Sequence, residues 1–286
     1  MNILIFASDS HFEEEKLLNK AREFGFSAQV ILLPQTQIIH SNSTKIFYGK
    51  NDITKILKES VVIFRRTRNN YPKAVSIVNY FWQNNIKFTD SFESIISNLD
   101  KSLYLPSIES ELVPQPKTIF FCSNLDLISS NIGFPLIIKP SNGRHGEGVE
   151  LVIDRSNLDK KLNHLNESLI IQEQINIAKE YRIFIVGDKV LGVVRKIPPL
   201  GSIVANYSSG AEFVSSILPK AVLEETIRIS KNLGIEISGY DIAEDIHGKY
   251  FTLEINRCPE FKAFEQATKV DVSKEILEYI KNKYIL

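Results

Sequence analysis

The stretch IEISGYDIAEDIHGKYFTLEINRCPE, from Ile235 to Glu260, constrains this chain more than any other. It reads as a β-hairpin. Ile237–Ala243 runs out, Asp245–Lys249 turns with His247-Gly248, and Tyr250–Asn256 returns, with side chains alternating between two faces. Three oxygen-bearing residues, Asp241, Glu254 and Asn256, interrupt the apolar positions. Glu254 and Asn256 are two residues apart and share a face, and hairpin pairing can set Asp241 opposite them. Two carboxylates and a carboxamide on a half-buried face form an all-oxygen site. Such a site suits Mg²⁺, which keeps part of its shell for water and phosphate. The same spacing also describes acidic residues aligned on a solvated face, and the hairpin alone does not choose between the two.

The rest of the chain supplies a scaffold. Asn2–Phe6 reads as a buried strand, and Ser8-Asp9-Ser10 is expected to cap a helix over Phe12–Phe24, with Glu13-Glu14-Glu15 in its first turn and Gly25 past its end. Strands at Ala28–Leu33, Val61–Phe64 and Ile86–Thr89 alternate with helices at Ile53–Glu59 and Tyr71–Asn84, which predicts a small parallel α/β layer. Just past the third strand stand Arg65, Arg66 and Arg68. Open α/β sheets bind ligands at that end, so these arginines are candidates for gripping a substrate carboxylate. A solvated basic loop is the plainer alternative. No G-x-G-x-x-G follows the first strand, so a dinucleotide site there is unsupported.

From Ser91 the pattern changes. Helices are expected at Ser91–Asn98 and Lys101–Ser110, and Pro114-Gln115-Pro116 marks a linker. A strand at Pro135–Lys139 ends on a lysine and runs into SNGRHGEGV, with Gly143, Gly146 and Gly148. Glycine at that density lets backbone approach an anion closely and offers it N–H groups. The loop is not a Walker A motif, and a plain flexible hairpin tip would look similar. Glu180–Val186 and Val190–Lys196 join the late hairpin in a largely antiparallel sheet, a polar loop with Asn206 spans Gly201–Gly210, and helices follow at Leu218–Leu233 and Val272–Lys283.

Composition bounds the possibilities. Lys+Arg of 34 against Asp+Glu of 34 gives a formal charge of +0, which makes no global case for nucleic acid or an anionic membrane. No apolar run reaches the roughly 20 residues that span a bilayer, and MNILIFASDS lacks the features of a signal peptide. The 2 cysteines are too few for a disulfide framework or a cysteine metal site. A cytoplasmic location is the expectation.

Lys139, the glycine loop, Gln172-Glu173, Arg182 and the Asp241, Glu254, Asn256 set together resemble the ATP-grasp superfamily, in particular its RimK-like branch of glutamate and carrier-protein ligases. The segments PLIIKPSNGRHGEGV, LIIQEQINIAKEYRIFIVGDKVLGVVRK, GYDIAEDIHGKYFTLEIN and RCPEFKAFEQATKVDVSKEILEYI carry the resemblance, in that order, over roughly Leu99 to the C-terminus. It implies an ATP-grasp fold of mixed α/β and α+β class. An N-terminal pre-ATP-grasp domain would cover 1–95, a lid subdomain with the glycine loop 96–172, and an antiparallel subdomain with the metal site 173–286. It also implies an ATP-dependent carboxylate–amine ligase working through an acylphosphate. The expected substrates are an amino acid and a peptide, protein or small-molecule acceptor. Carried over residue by residue, Lys101 and Lys139 meet the nucleotide phosphates, Glu173 lies at the adenine hinge and Glu180 at the ribose. Asn206 and the glycines Gly143, Gly146 and Gly148 flank the phosphates, Arg182 stabilises the transferring phosphoryl group, and Asp241, Glu254 and Asn256 hold two Mg²⁺ or Mn²⁺ ions. The resemblance allows a homodimer or homotetramer. A small-substrate ligase like glutathione synthetase or D-alanine ligase, and a non-catalytic ATP-binding module, are the competing readings. Val204-Ala205, Gly210-Ala211 and His145 depart from the usual pattern, while Glu260-Phe261-Lys262 is similar to the carrier-protein ligases.

Overall fold

The computed structural model of the protein describes residues 2–97, 100–143, 148–162, 169–199 and 210–284. The chain opens with β1 (Asn2–Ala7), helix α1 (Phe12–Glu23) and β2 (Ser27–Leu32). A small antiparallel sheet of β3 (Thr36–His40), β4 (Thr44–Tyr48) and β5 (Asn51–Asp52) follows, then α2 (Thr54–Lys58) and β6 (Ser60–Phe64). Helix α3 (Tyr71–Gln83) and β7 (Lys87–Phe88) complete a parallel sheet ordered β2-β1-β6-β7. The apolar run of β1 is buried on both faces, as a central parallel strand must be. The cap of α1 differs from expectation. It falls at His11, whose backbone N–H donates to the Glu14 carboxylate at 3.0 Å, because a glutamate at the third helical position reaches back.

Next come α4 (Phe92–Ser97) and α5 (Lys101–Tyr104), then β8 (Thr118–Phe120), α6 (Leu125–Asn131), β9 (Leu136–Pro140), β10 (Glu150–Val152), α7 (Arg155–Leu162) and β11 (Leu169–Glu173). These strands pair antiparallel in the order β10-β9-β11-β8. The single helix expected over Lys101–Ser110 instead ends at Tyr104, and a tight turn over Leu105–Ser107 continues the chain. Pro106 accounts for the break, since it has no backbone N–H to donate to the carbonyl of Ser102 four residues earlier.

The third sheet contains β12 (Ile177–Val186), β13 (Lys189–Ile197), β14 (Glu212–Ser216), β15 (Ile237–Asp245) and β16 (Tyr250–Asn256), with α8 (Lys220–Asn232) ahead of β15. It is antiparallel throughout, in the order β14-β13-β12-β15-β16. Helices α9 (Lys262–Thr268) and α10 (Val272–Tyr284) end the chain. Strands β3 to β5, strand β14 and helix α9 have no counterpart in the sequence reading.

Alternation along the strands builds the cores. On β1, Ile3 and Ile5 face one way into a core with Phe184, Val186 and α10, while Leu4 and Phe6 face the other way against α3. On β12, Ile183 and Ile185 pack with Val222 and Ile229 of α8, while Phe184 and Val186 meet the N-terminal sheet. The β8–β11 sheet keeps a smaller core of its own around Leu136, Ile138, Val152 and Ile171. Among the described residues no helix is long and apolar enough to cross a membrane.

Candidate active site

On the face of β12 that carries Phe184 and Val186, the positions nearer the strand's start are charged. Arg182 pairs in register with Asp241 on β15, and Asp241 with Glu254 on β16. Arg182 grips Asp241 through both guanidinium forks, Nε to Oδ1 and Nη2 to Oδ2, each at 2.7 Å. Lys196, on β13 opposite Glu180, spans Asp241 Oδ2 and Glu180 Oε2 at 3.2 Å each. Asn256 donates from Nδ2 to Glu254 Oε1 at 2.8 Å, and Lys101 lies 3.3 Å from Glu254 Oε2. A β-bulge between Asp241 and Ile242 shifts the pairing to Thr252, and such bulges re-aim side chains beside functional sites. Gly239 is required here, because a Cβ would sit 2.7 Å from Pro259 Cβ and crowd the Arg182 side chain.

The electrostatics follow from this packing. Burial acts to raise the Asp241 pKa, but Arg182 and Lys196 outweigh it and hold the carboxyl below its usual range. Glu254 is likewise lowered, Lys101 overcoming burial. Lys139, near the end of β9, behaves in the opposite way. Burial, with Lys101 adding to it, lowers its ammonium to about 8 against the pull of Glu254. Its Nζ donates to Gln172 Oε1 at 2.9 Å, and Gln172 in turn donates to Thr118 at 2.8 Å.

A cleft of about 600 Å³ opens over this row. Lys101, Gly143, Arg182, Glu254 and Asn256 line it, together with Asp9, Glu13, Arg66, Arg68 and Glu260. Lys101 also donates to the Gly143 carbonyl at 2.6 Å, and Asp100 caps its helix through Ser102 N–H at 2.9 Å. The cleft is thus lined both by a charged sheet face and by residues that follow β1 and β6.

The remaining candidates are placed as follows. Glu180 faces Lys196 beside the row, and Glu173 accepts the Lys117 N–H at 2.6 Å at the end of β11, away from the cleft lining. Gly148 takes φ +70 with its α-carbon against Pro140, where a Cβ would come within 2.8 Å. Gly146, Asn206, His145 and Val204-Ala205 lie outside the described residues. The three arginines after β6 separate. Arg65 is 1% exposed and turns away from the cleft to Glu14 Oε1 at 2.8 Å. Arg66 is held by Asp9 at 3.2 Å, Glu260 at 3.3 Å and Glu13 at 3.9 Å. Arg68 lines the cleft, and burial lowers its pKa against the pull of Asp100 and Glu254.

Lys196 and Tyr104 escaped the sequence reading. Lys196 had a signal, a lysine late in the apolar run KVLGVVRKI, at the position facing Glu180. Tyr104, whose hydroxyl accepts the Ile255 N–H at 3.3 Å, had none.

Solved ATP-grasp ligases share this whole architecture. The structure of the ATP-grasp ligase PsnB complexed with minimal precursor aligns with TM-score 0.76 at 15% identity, covering 98% of this chain and 98% of that one. The macrocyclase MdnC of Microcystis aeruginosa, bound with precursor peptide MdnA, aligns with TM-score 0.74 at 18% identity, covering 99% of this chain and 100% of that one. The fold is that of the ATP-grasp ligases. Residues 114–280 match the RimK-like ATP-grasp domain, and the chain belongs to that family. The Glutamate–LysW ligase ArgX of Sulfolobus acidocaldarius is 29% identical over 285 residues, 96% of each chain. A probable alpha-L-glutamate ligase 2 of Hahella chejuensis is 26% identical over 290 residues, 98% of this chain and 95% of that one. The protein is an ATP-dependent carboxylate–amine ligase, and ligases of this type use ATP and Mg²⁺.

The donor set fits a hard cation. Glu254 and Asn256 line the cleft, and Asp241, in register with Glu254 and paired with Arg182 and Lys196, could add a carboxylate oxygen, the hard donor that Mg²⁺ prefers. Among the described residues no cluster of three or more Asp, Glu, His or Cys could hold an ion alone.

Proposed function

We propose that this ligase activates a carboxylate of a peptide or carrier protein and joins to it the amine of a free amino acid, with glutamate the first to test. The relatives named glutamate ligases motivate that choice of amino acid. The observation that carries the reading is the in-register row Arg182–Asp241–Glu254, flanked by Lys101 and Asn256, beside a cleft that Arg66 and Arg68 also line.

In this reading Lys101 and Lys139 hold the nucleotide phosphates with Gly143, Gly146, Gly148 and Asn206 around them, Glu173 lies at the adenine and Glu180 at the ribose. Asp241, Glu254 and Asn256 hold two Mg²⁺ ions, with Mn²⁺ able to substitute, and bound metal would offset charge on the phosphates. A carboxylate oxygen attacks the γ-phosphorus and ADP leaves. The amine nitrogen then attacks the acyl carbon, phosphate departs with the C–O bond, and the nitrogen loses a proton. Arg182 stabilises the charge on the transferring phosphoryl group. No side-chain nucleophile is needed, since positioning and electrostatics supply the acceleration. Arg68, which lines the cleft within reach of the field of Asp100 and Glu254, is the carboxylate anchor, because Arg66 already faces three carboxylates and Arg65 faces away. The three units 1–95, 96–172 and 173–286, a dimer or tetramer, and a cytoplasmic setting belong to the same proposal.

The test is mass spectrometry and phosphate release with Mg-ATP, pooled amino acids and peptides with acidic C-termini. A product heavier by one amino acid less water supports the reading. Nucleotide binding with no phosphate release from any pool would replace it with a non-catalytic module.

A further inference from the structure

We infer that Arg65 and Arg257 form a reciprocal clasp that fixes the spacing of two segments lining the cleft, the one after β6 and the one after β16, which makes both of them positioning residues for ligation. The inference rests on the ligase reading above. The segment after β6 and the segment after β16 exchange arginines. Arg257 Nη1 donates to the Phe64 carbonyl at 2.8 Å, and Arg65 Nη2 donates to the Pro259 carbonyl at 3.1 Å. Each guanidinium is anchored from behind by its own carboxylate, Arg65 on Glu14 at 2.8 Å and Arg257 on Asp90 at 3.0 Å. All four side chains are buried, at 2% and 0% exposure for the first pair and 4% and 2% for the second. Cys258 Sγ adds a contact to Phe64 O at 3.3 Å, and the Arg65 guanidinium lies over the Phe261 ring at 5.6 Å.

Asp90 does more than hold Arg257. It also accepts the backbone N–H groups of Glu236 at 2.7 Å and Ile237 at 3.3 Å, where β15 begins. One carboxylate thus fixes the start of the strand that carries Asp241 and the end of the strand that carries Glu254 and Asn256. On the other side of the clasp, Arg65 directly precedes Arg66 and lies three residues before Arg68. The lining segments that carry Arg66 and Arg68 and that follow Glu254 and Asn256 are therefore joined by two guanidinium-to-carbonyl bonds running in opposite directions. Buried ion pairs stabilise a fold little better than apolar packing of the same volume, whereas they specify a single arrangement well. Arg65 uses its planar fork to reach a carboxylate from Nε and a carbonyl from Nη2, while Arg257 meets both Phe64 O and Asp90 from Nη1, a geometry a lysine ammonium reproduces less well.

The substitution Arg257→Lys keeps the charge beside Asp90 and removes the fork. With the substrate pair found in the pooled assay, the KM of the carboxylate or amine substrate is expected to rise at least tenfold, while the Kd for ADP with Mg²⁺ changes less than threefold. Hydrogen exchange gives the reciprocal readout. Arg257→Lys should speed amide exchange over 65–70, Arg65→Lys should speed it over 257–261, and the double variant should lose little beyond the worse single one. Arg65→Lys tests the same clasp from the opposite side if Arg257→Lys does not fold. The inference is overturned if exchange across the clasp stays at the wild-type rate, or if both constants shift together in step with melting temperature. If the wild-type chain turns over no substrate pool, the ligase reading fails, and the exchange experiment still decides the clasp.

Discussion

The charged row on the five-stranded sheet and the lysine on the four-stranded sheet solve the same problem in opposite ways. Asp241 is saturated, with both oxygens taken by Arg182 and one shared with Lys196. Lys139 has a neutral amide for its hydrogen-bond partner among the described residues, and its pKa is lowered to about 8. The first region is neutralised from within and holds its shape without ligand. The second keeps a desolvated cation whose most favourable counter-ion is one brought in from outside. Preorganised charge and an under-compensated cation are both useful around phosphate, but they should respond to substitution with opposite signs in stability.

The largest effect is expected from Asp241→Asn. It leaves Arg182 and Lys196 buried without their shared carboxylate, so it should cost about 3–5 kcal/mol of stability and at least roughly 10³-fold in turnover. Thermal melts and phosphate release would show both. Lys139→Met should cost roughly 10²-fold in turnover yet leave the melting temperature unchanged or higher, because it removes an ammonium that burial disfavours. A large fall in melting temperature for this variant would erase the contrast between the regions.

A pH series sharpens the same comparison. The Lys139 ammonium is present below about 8 and is lost as pH rises through that value. The KM for ATP should therefore climb above pH 8 in the wild type and stay flatter in Lys139→Arg. The row should show no matching change in that window, since Asp241 and Glu254 are lowered and remain ionised. The smallest effect concerns the arginines after β6. Arg68→Ala should raise the KM of the carboxylate substrate by roughly tenfold to a hundredfold, the value of a lost charged hydrogen bond. Arg66→Ala should do less, because Arg66 already faces Asp9, Glu13 and Glu260. Steady-state kinetics on the two variants would rank them.

The sequence showed most clearly what local periodicity encodes. The returning strand Tyr250–Asn256 is read with the same limits that the structure gives, because a strict two-residue alternation begins right after a glycine turn. Strands β3 to β5 went unread because they are short and leave Ile38 and Ile39 exposed at 38% and 53%, which blurs the alternation. Helix α9 was missed because its core residue, Phe264, is followed only by a short polar run. The fate of the arginines could not be read from the sequence. Arg65 meets Glu14 across 51 residues, and Arg257 meets Phe64 across 193. No local pattern announces a partner that only the folded chain brings near.

Strand β12 serves as a single plank with two trades. On one face Arg182 lines the cleft with Glu180 paired to Lys196 beside it, and two residues on, Phe184 and Val186 enter the interior shared with β1 and α10. The matched segment 114–280 therefore cannot be lifted out as a working cassette, since cutting there would strip the cover from Phe184 and end α10 short of Tyr284. The chemistry and the greasy seam lie only about 7 Å apart along one backbone, so whatever reshapes one end of the plank is felt at the other.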